Sequence, residues 1–541
     1  MNIASHLFLM KTNPARVCVP VCVESARELA EAIRRASEVA DIVELRLDCL
    51  QEHELEQAGT EISTALASRA GPTILTLRPA EFGGGRPITA EDRLRGHHNS
   101  RSYLQEGKPA ILWDIELDLA LQLQRRQGEG NDVVGWGYCD WTRSICSYHD
   151  FVGVPSDLER IYESMAATES RILKIAVQAD DAIDCLPVFR LLDRAQCEGR
   201  EMIAIAMGQA GVMTRILGPS RGGFLTYGSL DDESATAPGQ LTARELREVY
   251  RIDRINQQTE IIGLMGRPVS HSISPNIHNA AFAEAELNAV YIPFEVRDVG
   301  AFLRRMIHPR SREIDWNLRG LSVTAPHKIA VMDNLDWIEP AAREVGAVNT
   351  IVVEDDGLHG YNTDAAGFIS PLRNRFGSLR NARCAIIGGG GAARGALWAL
   401  RNEQAHCTLF VRDPDKARPV AEKFGVDCHS LADAQFAGFD IAVNATPIGT
   451  RGESENESPV TAERLRYVRL AYDLVYNPIE TEFQREARFA GCETIGGIQM
   501  LVAQAAEQFR LWTCKQPDAE VMRAAALKAL SPESEHQTAN T

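Results

Sequence analysis

Between residues 17 and 230 the chain repeats one pattern: a short apolar run, then a longer segment whose apolar residues recur every three or four positions. The runs are VCVPVCV (17–23), DIVELRL (41–47), TILTLR (73–78), AILWDIEL (110–117), SICSYHDF (144–151), ILKIAV (172–177), MIAIAM (202–207) and FLTYGSL (224–230). Stretches such as SARELAEAIRRASEVA (25–40) and CLPVFRLLDRA (185–195) carry the helical period. Runs this apolar read as parallel strands buried on both faces. Eight strand–helix units predict an α/β fold, a closed (β/α)8 TIM barrel over 15–255, with its chemistry at the carboxyl ends of the strands. An open doubly wound sheet is the competing arrangement, disfavoured because this half has no glycine-rich phosphate turn.

The polar exceptions to the pattern are the informative positions. Lys174 sits among Ile, Leu, Ile, Ala and Val. An ammonium removed from water must find a partner or give up its proton, unless it merely snorkels from a strand end. Glu44, Arg46 and Asp48 alternate along the second run, Arg78 closes the third, Asp114 and Glu116 lie in the fourth, and His149 is near the end of the fifth. Each alone is equally well a satisfied core group or an ion pair. Together, in a barrel, they converge on one mouth. A lysine and a histidine there suggest an uncharged amine forming a Schiff base with a ketone while the imidazole moves protons.

SYHDF (147–151), LKIA (173–176), ELRLD (44–48) and TAPGQ (236–240) resemble type I 3-dehydroquinate dehydratase. The resemblance implies that Lys174 forms the imine and that His149 removes the C2 proton and then protonates the departing hydroxyl. It assigns Glu44, Arg46, Arg78, Arg215, Thr236 and Gln240 to substrate binding; Thr236 stands where the family commonly has serine. One departure concerns the histidine's partner. The family often has glutamate four residues after the strand-three arginine, and this chain has Phe82 there. Glu81, one position earlier, is expected to rotate into the role.

After LTARELREVYRIDRI (241–255) the pattern restarts at TEIIGLMG (259–266), a domain boundary. In CAIIGGGGAARGALWAL (384–400) a strand runs into glycines and then a helix. Gly388, Gly390 and Ala393 take the places of a dinucleotide fingerprint, where missing side chains admit a pyrophosphate to the helix amino terminus. A glycine-rich turn in any strand–helix unit is the plain alternative. The next strand, HCTLFVRDPDKA (406–417), ends on Arg412 rather than an acid, with Lys416 near, which predicts NADP. Asp413, rotated inward, could instead serve a bare ribose, and Arg412 could be a solvated loop charge.

GRPVSHSISPNIHN (266–279), LSVTAPHK (321–328), GAVNT (346–350), GYNTDAAGF (360–368), NATPIG (444–449), YDLVYNP (472–478) and GGIQMLVAQAAEQF (496–509) resemble shikimate dehydrogenase over 260–525. The resemblance implies a substrate-binding domain over 259–365, a Rossmann NADP-binding domain over 380–480 and carboxyl-terminal helices over 481–527 that return to the substrate domain. Ser272 and Ser274 are implied to bind the substrate carboxylate, and Thr324, Asn349 and Gln504 the ring hydroxyls, with Tyr476 lining the cleft. Lys328 and Asp364 are implied to be the catalytic pair. Gly388, Gly390, Gly391, Ala392, Ala393, Arg412, Lys416, Asn444 and Thr446 are assigned to the cofactor.

Composition narrows the remaining classes. The 541 residues are 45% hydrophobic and 24% charged, as in soluble multidomain proteins. A net charge of −17 with no basic run excludes a nucleic-acid partner. No apolar run has membrane-spanning length, the amino terminus has too short an apolar stretch for a signal peptide and too few arginines for a typical transit peptide, and a cytoplasmic location is expected. The tail 531–541 reads as loose. The 12 cysteines lack zinc spacings, so free thiols in a reducing compartment and no metal are expected. A dehydratase followed by a dehydrogenase makes consecutive steps, and the order of the halves resembles the bifunctional shikimate-pathway family of plants. Two alternatives stand beside it: a fusion whose dehydrogenase prefers quinate, and a quinate-sensing repressor derived from the same domains. The retained Lys174, His149, Lys328 and Asp364 argue against the second.

Overall fold

The computed structural model describes residues 15–57, 59–67, 69, 71–99, 111–128, 139–432 and 434–531. The amino-terminal stretch before residue 15 and the tail after 531 lie outside them.

Eight strands form the first sheet: β1 (Val17–Val21), β2 (Ile42–Arg46), β3 (Thr73–Thr76), β4 (Ile111–Glu116), β5 (Ser144–Asp150), β6 (Ile172–Gln178), β7 (Glu201–Met207) and β8 (Thr226–Tyr227). Neighbours are parallel, in the order β7-β6-β5-β4-β3-β2-β1-β8. Between β7 and β8 the circle is closed by one bridge, Met202 to Gly223, and by Phe224 N–H donating to Met202 O at 2.7 Å. The (β/α)8 barrel is therefore formed. Its interior is stacked in layers drawn from alternate strands, as a barrel of this kind requires. Ile42, Leu112, Ile172 and Leu225 come from the even strands or their immediate flank, and Cys18, Ile74, Ile145 and Ile203 from the odd ones. The next even-strand layer is Glu44, Asp114, Lys174 and Tyr227, each two residues further along its strand or flank.

The second sheet comprises β9 (Glu260–Gly266), β10 (Ala289–Glu295), β11 (Leu318–Val323), β12 (Trp337–Ile338), β13 (Thr350–Glu354) and β14 (Gly357–Tyr361), ordered β10-β9-β11-β13-β14-β12. The third is wholly parallel: β15 (Arg383–Ile387), β16 (His406–Val411), β17 (Asp427–Ser430), β18 (Ile441–Asn444), β19 (Leu470–Asp473) and β20 (Glu493–Ile495), ordered β17-β16-β15-β18-β19-β20. Its order reverses between β15 and β18, the crevice where open α/β sheets bind ligands. The sheet does not stop at residue 480. Strand β20 adds to it, and only helices Gly497–Thr513 and Ala519–Ala529 return, burying Ile498, Val502, Phe509 and Met522 with Ile262 and Leu264 of β9.

The cysteine expectation needs correction. Cys22 and Cys49 form a disulfide, while ten cysteines are free. The parallel register Val21↔Leu45 brings the segments just past β1 and β2 side by side, which spacing along the chain did not reveal. Among the described residues no helix is long and apolar enough to cross a membrane, and no cluster of three or more His, Cys, Asp or Glu could hold a metal ion.

Helices Asp364–Phe376 and Gly497–Thr513 touch backbone to backbone at Gly367. A Cβ there would lie 2.8 Å from Gln504 N and 2.9 Å from Gln504 Cα. Gly367→Ala is expected to destabilise the fold by about 1–3 kcal/mol, read as a fall in unfolding temperature; an unchanged temperature would show that the helices do not need this approach.

Candidate active sites

The barrel mouth is built on the even-strand layer. Lys174 Nζ lies 2.7 Å from Asp114 Oδ2 and 3.5 Å from Glu44 Oε1, and 4.6 Å from the centre of the Tyr227 ring. All four residues are buried. The amine is thus not isolated: alternate strands put two carboxylates in its layer. Burial alone would raise the Asp114 pKa, but Lys174 and then Arg78 overcome it and hold the carboxyl well below its usual range. Arg78 donates to Asp114 at 2.6 Å and to Glu116 at 3.4 Å, and Arg93 continues the chain to Glu116 and Asp118. Arg46 is clamped by Asp48, which also accepts from Gly85 N–H and Arg78 N–H.

The β5–β6 register pairs Ser147 with Lys174 and His149 with Ala176, so the imidazole stands two residues above the amine on the adjacent strand. Its Nδ1 is buried without a hydrogen-bond partner, and its ring stacks on Phe151 at 6.3 Å. Desolvation first, then Arg78 and Lys174, hold the His149 pKa well below 6.5. Glu81 does not come to it. It is exposed on the short turn Ala80–Phe82, whose Phe82 ring turns inward toward Arg93. A three-residue turn ending at Gly83, whose φ is +83°, fixes which side faces in.

Arg215, on the short helix Val212–Leu217, is 1% exposed, and its Nε and one Nη have no partner. Burial pulls its pKa down to about 10. A buried guanidinium with idle donors is a seat for an anion. Thr236 and Gln240 bond each other on a loop that Pro238 O ties to Gly208 N–H at the end of β7.

In the second unit Lys328 Nζ meets Asp364 Oδ2 at 2.6 Å, the lysine about one-third exposed. Asn349 is turned inward: its Nδ2 donates to Asp364 Oδ1 at 2.8 Å and to Thr363 Oγ1 at 3.0 Å, and its Oδ1 accepts from Thr363 N–H and the Thr350 hydroxyl. Its amide orients Asp364 rather than reaching freely toward a ligand. Gln508, buried one helical turn beyond Gln504, holds Thr350, the Asn349 carbonyl and Ser322. Neither Thr363 nor Gln508 stood out in the sequence, since each role depends on an inter-strand register. Ser272 and Ser274 hydroxyls lie 3.1 Å apart at the start of helix Ser274–Glu284. Thr324 Cγ2 fills the space beside Gly266, and Gln504 donates to Leu501 O. Tyr476 is half-buried just past the end of β19.

The cofactor turn follows β15. Gly388 has φ +109°, and a Cβ on it would lie 2.9 Å from Ala445 O and from Thr446 Cγ2. Gly390 and Gly391 would meet nothing within 4 Å, so the turn leaves an open cradle at the start of helix Gly391–Asn402, with Ala392 exposed and Ala393 buried. Arg412 and Lys416 are exposed at the end of β16. The Asp413 carboxylate is occupied, accepting Lys416 N–H at 3.2 Å as a helix cap. These residues fit a phosphorylated dinucleotide. Asn444 does not face the cradle. It is fully buried, donates to Asp473 and Ile448 O, and accepts from the N–H and hydroxyl of Thr446, because it ends a central strand.

The type I 3-dehydroquinase family model matches residues 17–257, the shikimate dehydrogenase substrate-binding domain model 264–351, and the shikimate 5'-dehydrogenase C-terminal domain model 497–527. Over 535 residues the chain is 32% identical to the chloroplastic bifunctional 3-dehydroquinate dehydratase/shikimate dehydrogenase of Arabidopsis thaliana, covering 95% of this chain and 84% of that protein. It is 38% identical over 286 residues to the shikimate dehydrogenase (NADP(+)) of Methanocaldococcus jannaschii, covering 51% of this chain and 99% of that one. A solved shikimate 5-dehydrogenase from Thermus thermophilus, in complex with NADP(H) and shikimate, is 35% identical over 50% of this chain and 99% of its own, at a TM-score of 0.46.

The position of His149 among cations has a measurable result. By nuclear magnetic resonance its ring is expected to stay neutral at pH 6.5 and to take up a proton only well below that, and Arg78→Gln should move the titration upward. A wild-type midpoint near 6.5 would contradict the assigned surroundings.

Proposed function

Since this chain belongs to the bifunctional 3-dehydroquinate dehydratase/shikimate dehydrogenase family, we propose how its residues divide the two reactions. It dehydrates 3-dehydroquinate to 3-dehydroshikimate and reduces that product to shikimate with NADPH.

In the barrel, Lys174 gives up one ammonium proton and its free amine attacks the ring ketone; the ketone oxygen takes up that proton and leaves as water when the imine forms. Asp114, 2.7 Å away, then faces the positive charge of the iminium nitrogen. The iminium draws off the electron pair when His149 removes the C2 proton, and the same imidazole returns that proton to the departing hydroxyl. Hydrolysis frees Lys174. The idle donors of Arg215 receive the substrate carboxylate. Glu44, Arg46 and Arg78 hold the ring oxygens, and Thr236 and Gln240 cover the mouth. Glu81 has no part. His149 is aligned by its strand and by Phe151 instead of by a carboxylate.

In the second unit Ser272 and Ser274 donate to the carboxylate of the ring, and Thr324, Gln504 and Tyr476 line its hydroxyl side. Bound NADPH supplies the hydride. Lys328 donates the proton that the new alkoxide requires, and Asp364 orients both the lysine and the reacting hydroxyl. Asn349 acts chiefly by fixing Asp364. Arg412 and Lys416 would meet the 2′-phosphate, while Gly388, Gly390, Gly391, Ala392 and Ala393 would cradle the pyrophosphate and Thr446 would border it. Asn444 shapes the loop that carries Thr446. The two serines and Thr324 favour shikimate over quinate. Ten of the twelve cysteines are free, which favours a reducing compartment that we take to be the cytoplasm, while the Cys22–Cys49 disulfide weighs against it; the Arabidopsis relative is chloroplastic.

The observation that carries this reading is the pair of buried or half-buried lysine–aspartate contacts, Lys174–Asp114 and Lys328–Asp364, one in each unit. Borohydride with 3-dehydroquinate should attach ligand to Lys174 in the wild type and not in Lys174→Ala, which should retain the reductase. Lys328→Ala should retain the dehydratase while its reductase kcat falls by roughly two or more orders of magnitude. Dehydratase turnover in Lys174→Ala, or normal reduction by Lys328→Ala, would remove that residue from its mechanism.

A further inference from the structure

The barrel strand that carries Lys174 ends in a loop that reaches into the other unit. Past β6, Asp181 is 7% exposed, and its carboxylate is shared between the cap of its own turn Ala182–Asp184 and the other unit. Oδ2 accepts the backbone N–H of Arg297 at 2.9 Å and of Asp298 at 3.1 Å, while Oδ1 accepts Ile183 N–H at 3.2 Å. Asp184 holds the loop in place by accepting the N–H groups of Asp180 and Asp181, each at 3.0 Å. Two consecutive backbone N–H groups directed at one point form a small anion nest, and the barrel fills it with its own carboxylate.

The segment so held, 295–298, touches both halves of the reductase site. Glu295 Oε2 accepts Val269 N–H at 3.0 Å, on the loop leading to Ser272 and Ser274. Val296 N–H donates to Gly266 O at 3.0 Å. The Val296 carbonyl lies 2.8 Å from Nε2 of His327, which must carry the hydrogen at that nitrogen to satisfy it. His327 is buried and directly precedes Lys328, whose own carbonyl accepts Val348 N–H at 2.8 Å. Every link from Asp181 to the Lys328 backbone is a hydrogen bond within ordinary distance or a covalent step.

We infer that Asp181, a residue of the dehydratase barrel, is a positioning residue for the reductase: it sets segment 295–298, which through His327 fixes the backbone from which Lys328 reaches Asp364. This rests on the assignment of Lys328 given above. The Asp181 carboxylate accepts backbone N–H groups and has no part in the dehydratase steps proposed above, so the dehydratase activity of the same chain serves as the control for folding.

Both activities of full-length Asp181→Ala should be assayed beside the wild type and Lys328→Ala. The expected result is a reductase kcat lower by roughly 10- to 100-fold, as for a misplaced catalytic group, with the KM for NADPH unmoved and the dehydratase kcat within about twofold. Asp181→Asn, which keeps the size and an acceptor oxygen but loses charge assistance, should lose only about threefold. It decides the matter if the alanine variant does not fold. Unaltered reductase kcat in the variant that folds, or an equal fall in both activities, would overturn the inference. If Lys328→Ala keeps its turnover, the assignment of Lys328 fails and the inference falls with it, whereas unaltered reduction by Asp181→Ala beside an inactive Lys328→Ala overturns the inference alone.

Discussion

The barrel's interior is organised around one ion pair kept out of water, Lys174 with Asp114. A barrel core is normally filled by branched apolar side chains, and the two layers beneath are of that kind apart from Cys18. The next is given over to Glu44, Asp114, Lys174 and Tyr227. Charges placed there strengthen one another because little solvent screens them, and each requires a partner. The demand spreads outward from Asp114 to Arg78, to Glu116, to Arg93 and to Asp118. Among the buried atoms left without a partner are two donors of Arg215, one nitrogen of His149, Asp114 Oδ1 and the Tyr227 hydroxyl.

The second unit works under looser confinement. Lys328 and Asp364 lie in a cleft rather than a sealed core, and their geometry is held by a web of neutral amides and hydroxyls. Asn349, Thr350, Thr363 and Gln508 satisfy one another almost completely. Such a web adds little charge but allows few alternative arrangements, so the carboxylate is held in direction without being pulled from its lysine.

Much of this was legible along the chain. Parallel strands buried on both faces must be apolar, so Lys174, Asp114 and His149 stood out against their runs, and the glycines after β15 marked a turn that side chains would block. What could not be read was everything set by closure or register. The carboxylate beside Lys174 comes from a strand 60 residues away. Cys22 and Cys49 are brought together only when β1 and β2 pair. Asn444 reads as available for a ligand until a central strand encloses it, and Glu81 stays outside because a tight turn directs Phe82 inward instead. Asp181 gave no signal, since its partners are backbone amides more than 100 positions later.

The seam between β7 and β8 carries a consequence for the fused architecture. Between β1 and β8 the ladder has only two pairs, and here a single bridge completes the ring. The connection that crosses the gap, including helix Val212–Leu217 and its buried Arg215, packs on β10 of the next unit, and Arg221 in the same connection donates to Asp315 O at 2.8 Å. The neighbouring module therefore serves as a splint. Spontaneous opening of the ring at its thinnest place would have to lift that splint, so the anion seat borders a joint reinforced from outside its own barrel.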